Sequence, residues 1–153
     1  KDETYYINTN QTFTYDADAG TVTAAYGDAI AKAHADTLFT AQDETDGLGT
    51  EGELATRGLK YNFIRAIKAQ AAGILQNTDW YILRKADADT DVPSAITTFR
   101  AAVRTKAAAM ETLITNASNT PAIETLYAYV NTADEGDPEV YERPLGEFPV
   151  LGS

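Results

Sequence analysis

Apolar positions along this chain change their period as the sequence proceeds, and each change marks an element. Within residues 5–25, Phe13, Tyr15, Val22 and the neighbouring threonines alternate around Asp16-Ala17-Asp18-Ala19-Gly20. That is the pattern of a strand, a turn and a second strand, so a β-hairpin is expected within residues 1–26. From Asp28 the period lengthens: Ile30, Ala33, His34 and Leu38 share one helical face behind a natural N-cap, which predicts a first helix ending near Thr40.

Residues 42–52 are acidic and glycine-rich and read as a mobile connector that neither packs nor carries a helix. Beyond them Leu59, Phe63, Ala66, Ile67, Ala71 and Ile74 recur at helical spacing, predicting a long helix over about residues 53–76. Thr78 or Asp79 caps a short turn through Trp80-Tyr81-Ile82-Leu83. Pro93 then starts a second long helix whose stripe is Ile96, Phe99, Val103, Met110, Leu113 and Ile114. Thr120-Pro121 opens a further helix with Ile123, Leu126, Tyr127 and Val130 on one side.

Periodicity fails over residues 133–153, where Pro138, Pro144 and Pro149 exclude a regular helix. Tyr141, Leu145, Phe148, Val150 and Leu151 nevertheless need a surface to cover, so this stretch is expected to be an extended arm lying on a neighbouring subunit or on its own body. The expected fold is α+β and mainly helical, a single domain over residues 1–132 with the hairpin at its start and the arm at its end. Its two long helices meet at a Trp-containing joint, with shorter helices on either side.

Composition narrows the function classes. At 153 residues with 44% hydrophobic content the chain has the size and apolar share of one folded domain. Its net charge of −11 repels phosphate backbones and anionic lipid, so nucleic acid and membrane are not expected partners. Cysteine is absent, which removes disulfides and thiolate chemistry. Residues 1–6 carry neither an initiator Met nor an apolar leader segment, and a longer gene product is the expectation.

Each motif that suggests chemistry has a plainer reading. Gly47-Leu48-Gly49-Thr50-Glu51-Gly52 has the spacing of a dinucleotide-binding turn, but its acidic neighbours oppose a pyrophosphate and no strand is predicted before it. Asp87, Asp89 and Asp91 begin a calcium-loop pattern that Val92 and Thr98 do not complete. His34, the sole imidazole, is expected to be structural, and Ser94, Ser118 and Ser153 have no nucleophile context. The sequons at Asn10 and Asn116 read as chance matches. No catalytic residue, cofactor or metal is expected; the competing reading is a small acidic enzyme with a carboxylate pair in a cleft.

The stretch Asn77-Thr78-Asp79-Trp80-Tyr81-Ile82-Leu83-Arg84, followed by Val92-Pro93 and Phe99-Arg100-Ala101-Ala102-Val103-Arg104, resembles a segment of bacteriophage tail fibre assembly and tail accessory proteins. There a Thr-Asp-Trp turn precedes a proline-started helix carrying an aromatic-Arg pair and a second Arg. Ala66-Ile67-Lys68-Ala69-Gln70-Ala71 is similar to that group as well. The resemblance implies a non-catalytic tail, baseplate or fibre accessory protein, located in the virion or, during assembly, in the host cytoplasm. Its implied partners are other tail or fibre proteins, or further copies of itself. Trp80 is expected to cover the helix joint against Phe63, Ile67, Phe99 and Val103, and Arg100 and Arg104 to face residues 87–91 or a partner. Trp80, Arg84, Arg100, Arg104, Tyr141, Leu145, Phe148, Val150 and Leu151 are the candidate partner-binding residues.

Overall fold

Two apolar stripes at helical spacing build the body of the molecule. In the structure, a computed structural model, residues 1–9 and 11–152 are described; Asn10 of the first sequon and Ser153 at the end of the arm lie outside them. Strands β1 (Tyr6–Ile7), β2 (Gln11–Asp16), β3 (Thr21–Tyr26), β4 (Ile30–Ala31) and β5 (Thr37–Leu38) precede a short helix α1 (Ala41–Thr45) and strand β6 (Leu54–Thr56). Helices α2 (Leu59–Gln76), α3 (Asp79–Ala88), α4 (Ser94–Asn116) and α5 (Thr120–Tyr127) follow, and β7 (Val130–Asn131) and β8 (Tyr141–Glu142) close the order. The fold is α+β and mainly helical, with the N-terminal hairpin present as β2 and β3.

Helices α2 and α4 pack along their stripes. Ile67 and Ala71 of α2 meet Val103, Ala107, Met110 and Ile114 of α4, with Phe63, Ile74, Phe99 and Leu126 packed around them. A second cluster at the start of α2 joins Tyr5, Tyr6, Leu59, Ala117 and Ile123. Phe63 links the two, with its ring 5.7 Å from that of Tyr5 and 4.6 Å from that of Tyr127.

Among the described residues the four sheets are all two-stranded and antiparallel: β1 with β4, β2 with β3, β5 with β6 and β7 with β8. In the β2–β3 ribbon Gln11 faces Tyr26, Phe13 faces Ala24, Tyr15 faces Val22 and Asp16 faces Thr21. Strand alternation therefore puts Phe13, Tyr15, Val22, Ala24 and Tyr26 on one face and the threonines on the other.

The helix expected over residues 28–40 does not form. That stretch is extended, because its backbone is engaged by other elements. Lys32 N–H donates to the Tyr5 carbonyl at 2.9 Å, and the Ala33 and His34 carbonyls accept from Leu59 and Lys60, each at 3.0 Å. Those two carbonyls take up N–H groups that the first turn of α2 leaves without helical partners. Ile30 and Leu38, expected on one helical face, are exposed, and Asp36 rather than Asp28 serves a helix start by accepting from Gly58 N–H at 2.8 Å. A side chain at position 58 would collide with the Ala35 carbonyl, which is why glycine stands there.

Two further boundaries move. The acidic connector carries helix α1, held by a capping box in which Thr40 and Asp43 exchange side-chain and backbone hydrogen bonds. The Gly52 N–H donates to the Phe39 carbonyl and Phe39 N–H to that of Glu53, both at 2.9 Å, so the segment returns on itself. Helix α2 starts at Leu59 rather than near residue 53, since Leu54–Thr56 pairs with Thr37–Leu38.

Candidate functional site

The joint between α2 and α3 is organised by Arg100, which is only 8% exposed. Its Nη1 donates to the Leu75 carbonyl at 2.8 Å, to Thr78 Oγ1 at 2.7 Å and to Asp79 Oδ1 at 2.8 Å. The end of α2 thus receives a cation where its unpaired carbonyls carry partial negative charge. Thr78 Oγ1 donates to the Leu75 carbonyl and makes no capping bond to α3. Arg100 is therefore an internal clamp and neither faces residues 87–91 nor offers itself to a partner. Arg104, four residues on, is exposed.

Trp80 is not the joint's cover. It is 51% exposed, and its ring contacts are Tyr81 at 4.4 Å and the Arg84 guanidinium at 4.6 Å. The expected short turn is the ten-residue helix α3, which buries no residue and leaves Ile82 and Leu83 exposed as well. The buried side chain at the joint is instead Thr78, whose hydroxyl accepts from Arg100. The Arg84 guanidinium lies over Trp80 and Tyr81, and its shielded Nε has no hydrogen-bond partner among the described residues.

Lys85 pairs with two of the three aspartates of the partial calcium-loop pattern. Its Nζ lies 2.7 Å from Asp89 Oδ1 and 2.8 Å from Asp91 Oδ1, and these bonds raise the lysine pKa and lower that of Asp91. No cluster of three or more metal-ligating side chains occurs among the described residues.

The C-terminal arm is extended but anchored to its own body. Leu145 is fully buried in the α2–α4 core, and its N–H donates to the Leu126 carbonyl at 3.0 Å. Leu145 is thus a core residue rather than a partner contact. Phe148 is partly buried against the same core, while Tyr141, Val150 and Leu151 are exposed. Arg143 holds Glu147 through Nε at 2.7 Å, and the Tyr129 hydroxyl donates to the same carboxylate at 2.6 Å. The tyrosine bond, more than the arginine, keeps the Glu147 carboxyl below the usual range. Burial pushes the Tyr127 phenol up to about 12, and its buried hydroxyl has no hydrogen-bond partner among the described residues.

The arm leaves a cleft of about 720 Å³ beside α2, lined by Ile74, Phe99, Arg143, Glu147 and Phe148 among others. Glu147 is its single carboxylate, and two smaller clefts have none. This cleft can receive an apolar group, and its one carboxylate is already held by Arg143 and Tyr129.

One exposed apolar face was not among the residues singled out from sequence. All twelve positions of β2 and β3 are exposed, and the apolar face of the ribbon includes Phe13 at 66% and Tyr26 at 72% exposure. The signal was the alternation itself, which locates an apolar face without saying what covers it. Comparison with known proteins adds nothing to this picture, since no family model, no curated protein and no solved structure matches the chain.

Proposed function

We propose that this chain is a non-catalytic component of a bacteriophage tail, baseplate or fibre apparatus, acting through protein contacts in the virion or during assembly. The observation that carries the protein-contact part is the β2–β3 ribbon. An isolated two-stranded hairpin is marginal in water, and one with an uncovered aromatic face gains stability by docking. The accessible surface points the same way: it is 10497 Å², against about 7,500 Å² for a compact monomer of this mass. Excess surface of that size suits a subunit shaped by neighbours. The tail assignment rests on the resemblance of residues 66–104, whose exposed Trp80, with the half-buried Arg84 guanidinium over its ring, forms a second feature suited to a protein partner.

The test is cross-linking and hydrogen exchange on purified tails and tail assembly intermediates from the parent phage. The expected result is the chain in one of these fractions, with residues 11–26 protected relative to the free protein. Its absence from both fractions overturns the tail assignment, and an unprotected ribbon in the assembled form overturns the docking role.

A further inference from the structure

A sheet of two strands leaves two rows of backbone hydrogen-bonding groups without partners, one along each outer edge. In the β2–β3 ribbon no further strand among the described residues covers either row. The two edges differ in chemistry. Strand β2 ends in the Asp16 carboxylate, whereas β3, reading Thr-Val-Thr-Ala-Ala-Tyr, carries no charge, no proline and no glycine. Its ladder with β2 runs from Thr21 to Tyr26 without a register shift, so no bulge twists the edge away. Charges, prolines and bulges are the devices by which edge strands avoid pairing, and β3 has none of them.

An unpaired strand edge names its own occupant, because only another extended segment presents donors and acceptors at the matching spacing. Strand β3 also fits itself. When two copies run antiparallel about a two-fold axis, residues that face one another share a side of the sheet. The apolar sides of the two ribbons then coincide only if facing residues are both even-numbered or both odd-numbered. An axis through Ala24 meets this condition.

We infer that the β3 edge is a self-pairing site, on which β3 of a second copy adds antiparallel to make a four-stranded sheet. Ala24 then faces its own equivalent, Thr23 faces Ala25 of the second copy, and Val22 faces its Tyr26, an aromatic and β-branched pair that strengthens sheets. The inference rests on the reading of the ribbon as a docking element and deepens it by naming the first partner. Two strands alone are marginal, three or more with an apolar face are the usual minimum, and the pair supplies four. The contact is isologous, so it closes at two copies and leaves one enlarged apolar face for a further protein.

Length and charge set the strength. Six residues make a strip about 20 Å long, well short of the roughly 800 Å² that each side of a standard interface buries, so the dimer is weak and grows with concentration. The same register brings the turn over residues 17–20 of each copy beside Gly27 and Asp28 of the other. Asp18 and Asp28 repel there, as do two chains of net charge −11, so added salt should strengthen the association by screening.

The test is sedimentation of the full chain over a range of concentrations, with circular dichroism to confirm folding. One variant carries Thr23→Lys with Ala25→Lys, and another carries Thr23→Glu with Ala25→Glu. Within one chain these positions face Thr14 and Thr12, so the ribbon gains no like-charge pair of its own. Across the axis positions 23 and 25 face each other, so each variant alone meets like charge twice and should dimerise about tenfold more weakly. Mixing the two should restore a one-to-one dimer. Thr12→Lys with Thr14→Lys, on the far strand, should dimerise at least as well as the unaltered chain. Hydrogen exchange needs no substitution: amides of β3 should gain more protection than those of β2 as concentration rises, and this measurement decides if a variant fails to fold. An unaltered chain that stays monomeric throughout, a mixture that does not associate, or an equal loss from the β2 substitutions overturns the inference. A monomeric chain whose ribbon is nevertheless protected in tails overturns self-pairing while leaving the proposed function in place.

Discussion

The α2–α4 pair and the β2–β3 ribbon are both amphipathic, yet only the pair has its apolar side covered. Val103, Met110 and Ile114 are fully buried between helices, whereas every position of the ribbon is exposed. Long-range packing makes the first region self-sufficient. The second has hydrogen bonds across its strands and an aromatic face turned to water, with no buried cluster of the chain against it. An apolar pattern therefore identifies a face that must be covered, and only the three-dimensional structure says whether the chain covers it itself.

The largest expected effect lies where the arm completes the helical body. Leu145→Ala removes a side chain with 0% exposure from between α2, α4 and α5, and should lower stability by about 2 to 5 kcal/mol in urea unfolding. A change below 1 kcal/mol would mean that the arm is a loose strap and that the body is complete without it.

Next is the clamp. Arg100→Ala leaves the Leu75 carbonyl, Thr78 Oγ1 and Asp79 without their shared donor and should cost about 1.5 to 3 kcal/mol, the range for hydrogen bonds to a charged group. Trp80→Ala, at a residue the sequence pattern made the cover of the helix joint, should cost less than about 1 kcal/mol because the indole is half exposed. Measuring both in one denaturation series ranks them, and the reverse order would return Trp80 to the role of joint cover.

These residues show what was legible in the sequence. The stripes of α2 and α4 were, because Ile67, Ala71, Val103 and Met110 repeat at helical spacing and the partner stripe lies in the same chain. Residues 28–40 were not: their helical spacing is real, but Ala33 and His34 give their carbonyls to the start of α2, a tertiary demand that no local pattern carries. Trp80 was misplaced because size and aromaticity suggest a core, while the buried polar network of Arg100 and Thr78 already fills the joint. In the candidate site the apolar alternation of Phe13, Tyr15 and Val22 was visible, and its exposure was not.

A smaller effect separates the body by pH. Tyr127 has a phenol raised from 10.0 to about 12, chiefly by burial, with a hydroxyl that lacks a partner among the described residues. A folded-state pKa above the unfolded one means that its contribution is fully present below pH 10 and is lost as pH rises through about 12. Tyr127→Phe should raise stability at neutral pH by about 1 kcal/mol, because a buried unpaired hydroxyl is removed. The alkaline decline should become shallower without vanishing, since Tyr5, Tyr6 and Tyr129 are also raised. Urea midpoints measured from neutral pH into the tyrosine range check both statements, and a destabilised Tyr127→Phe protein would show that the hydroxyl has a partner after all.

The smallest expected change in stability is also the one that most sharpens the contrast between the two regions. Phe13→Ser with Tyr15→Ser removes two large side chains, which in the helical body would cost several kcal/mol. In the ribbon both are exposed and pack against no buried cluster, so the loss should stay within about 0.5 kcal/mol, comparable to other surface changes. Their cross-strand neighbours Ala24 and Val22 give up modest contacts, and the backbone ladder from Gln11 to Tyr26 is left in place. Circular dichroism and urea unfolding of the isolated chain measure this quantity apart from any partner. A loss of 2 kcal/mol or more would mean that the aromatic face folds onto the body in solution, and the distinction between a self-covered region and one awaiting a neighbour would then fail.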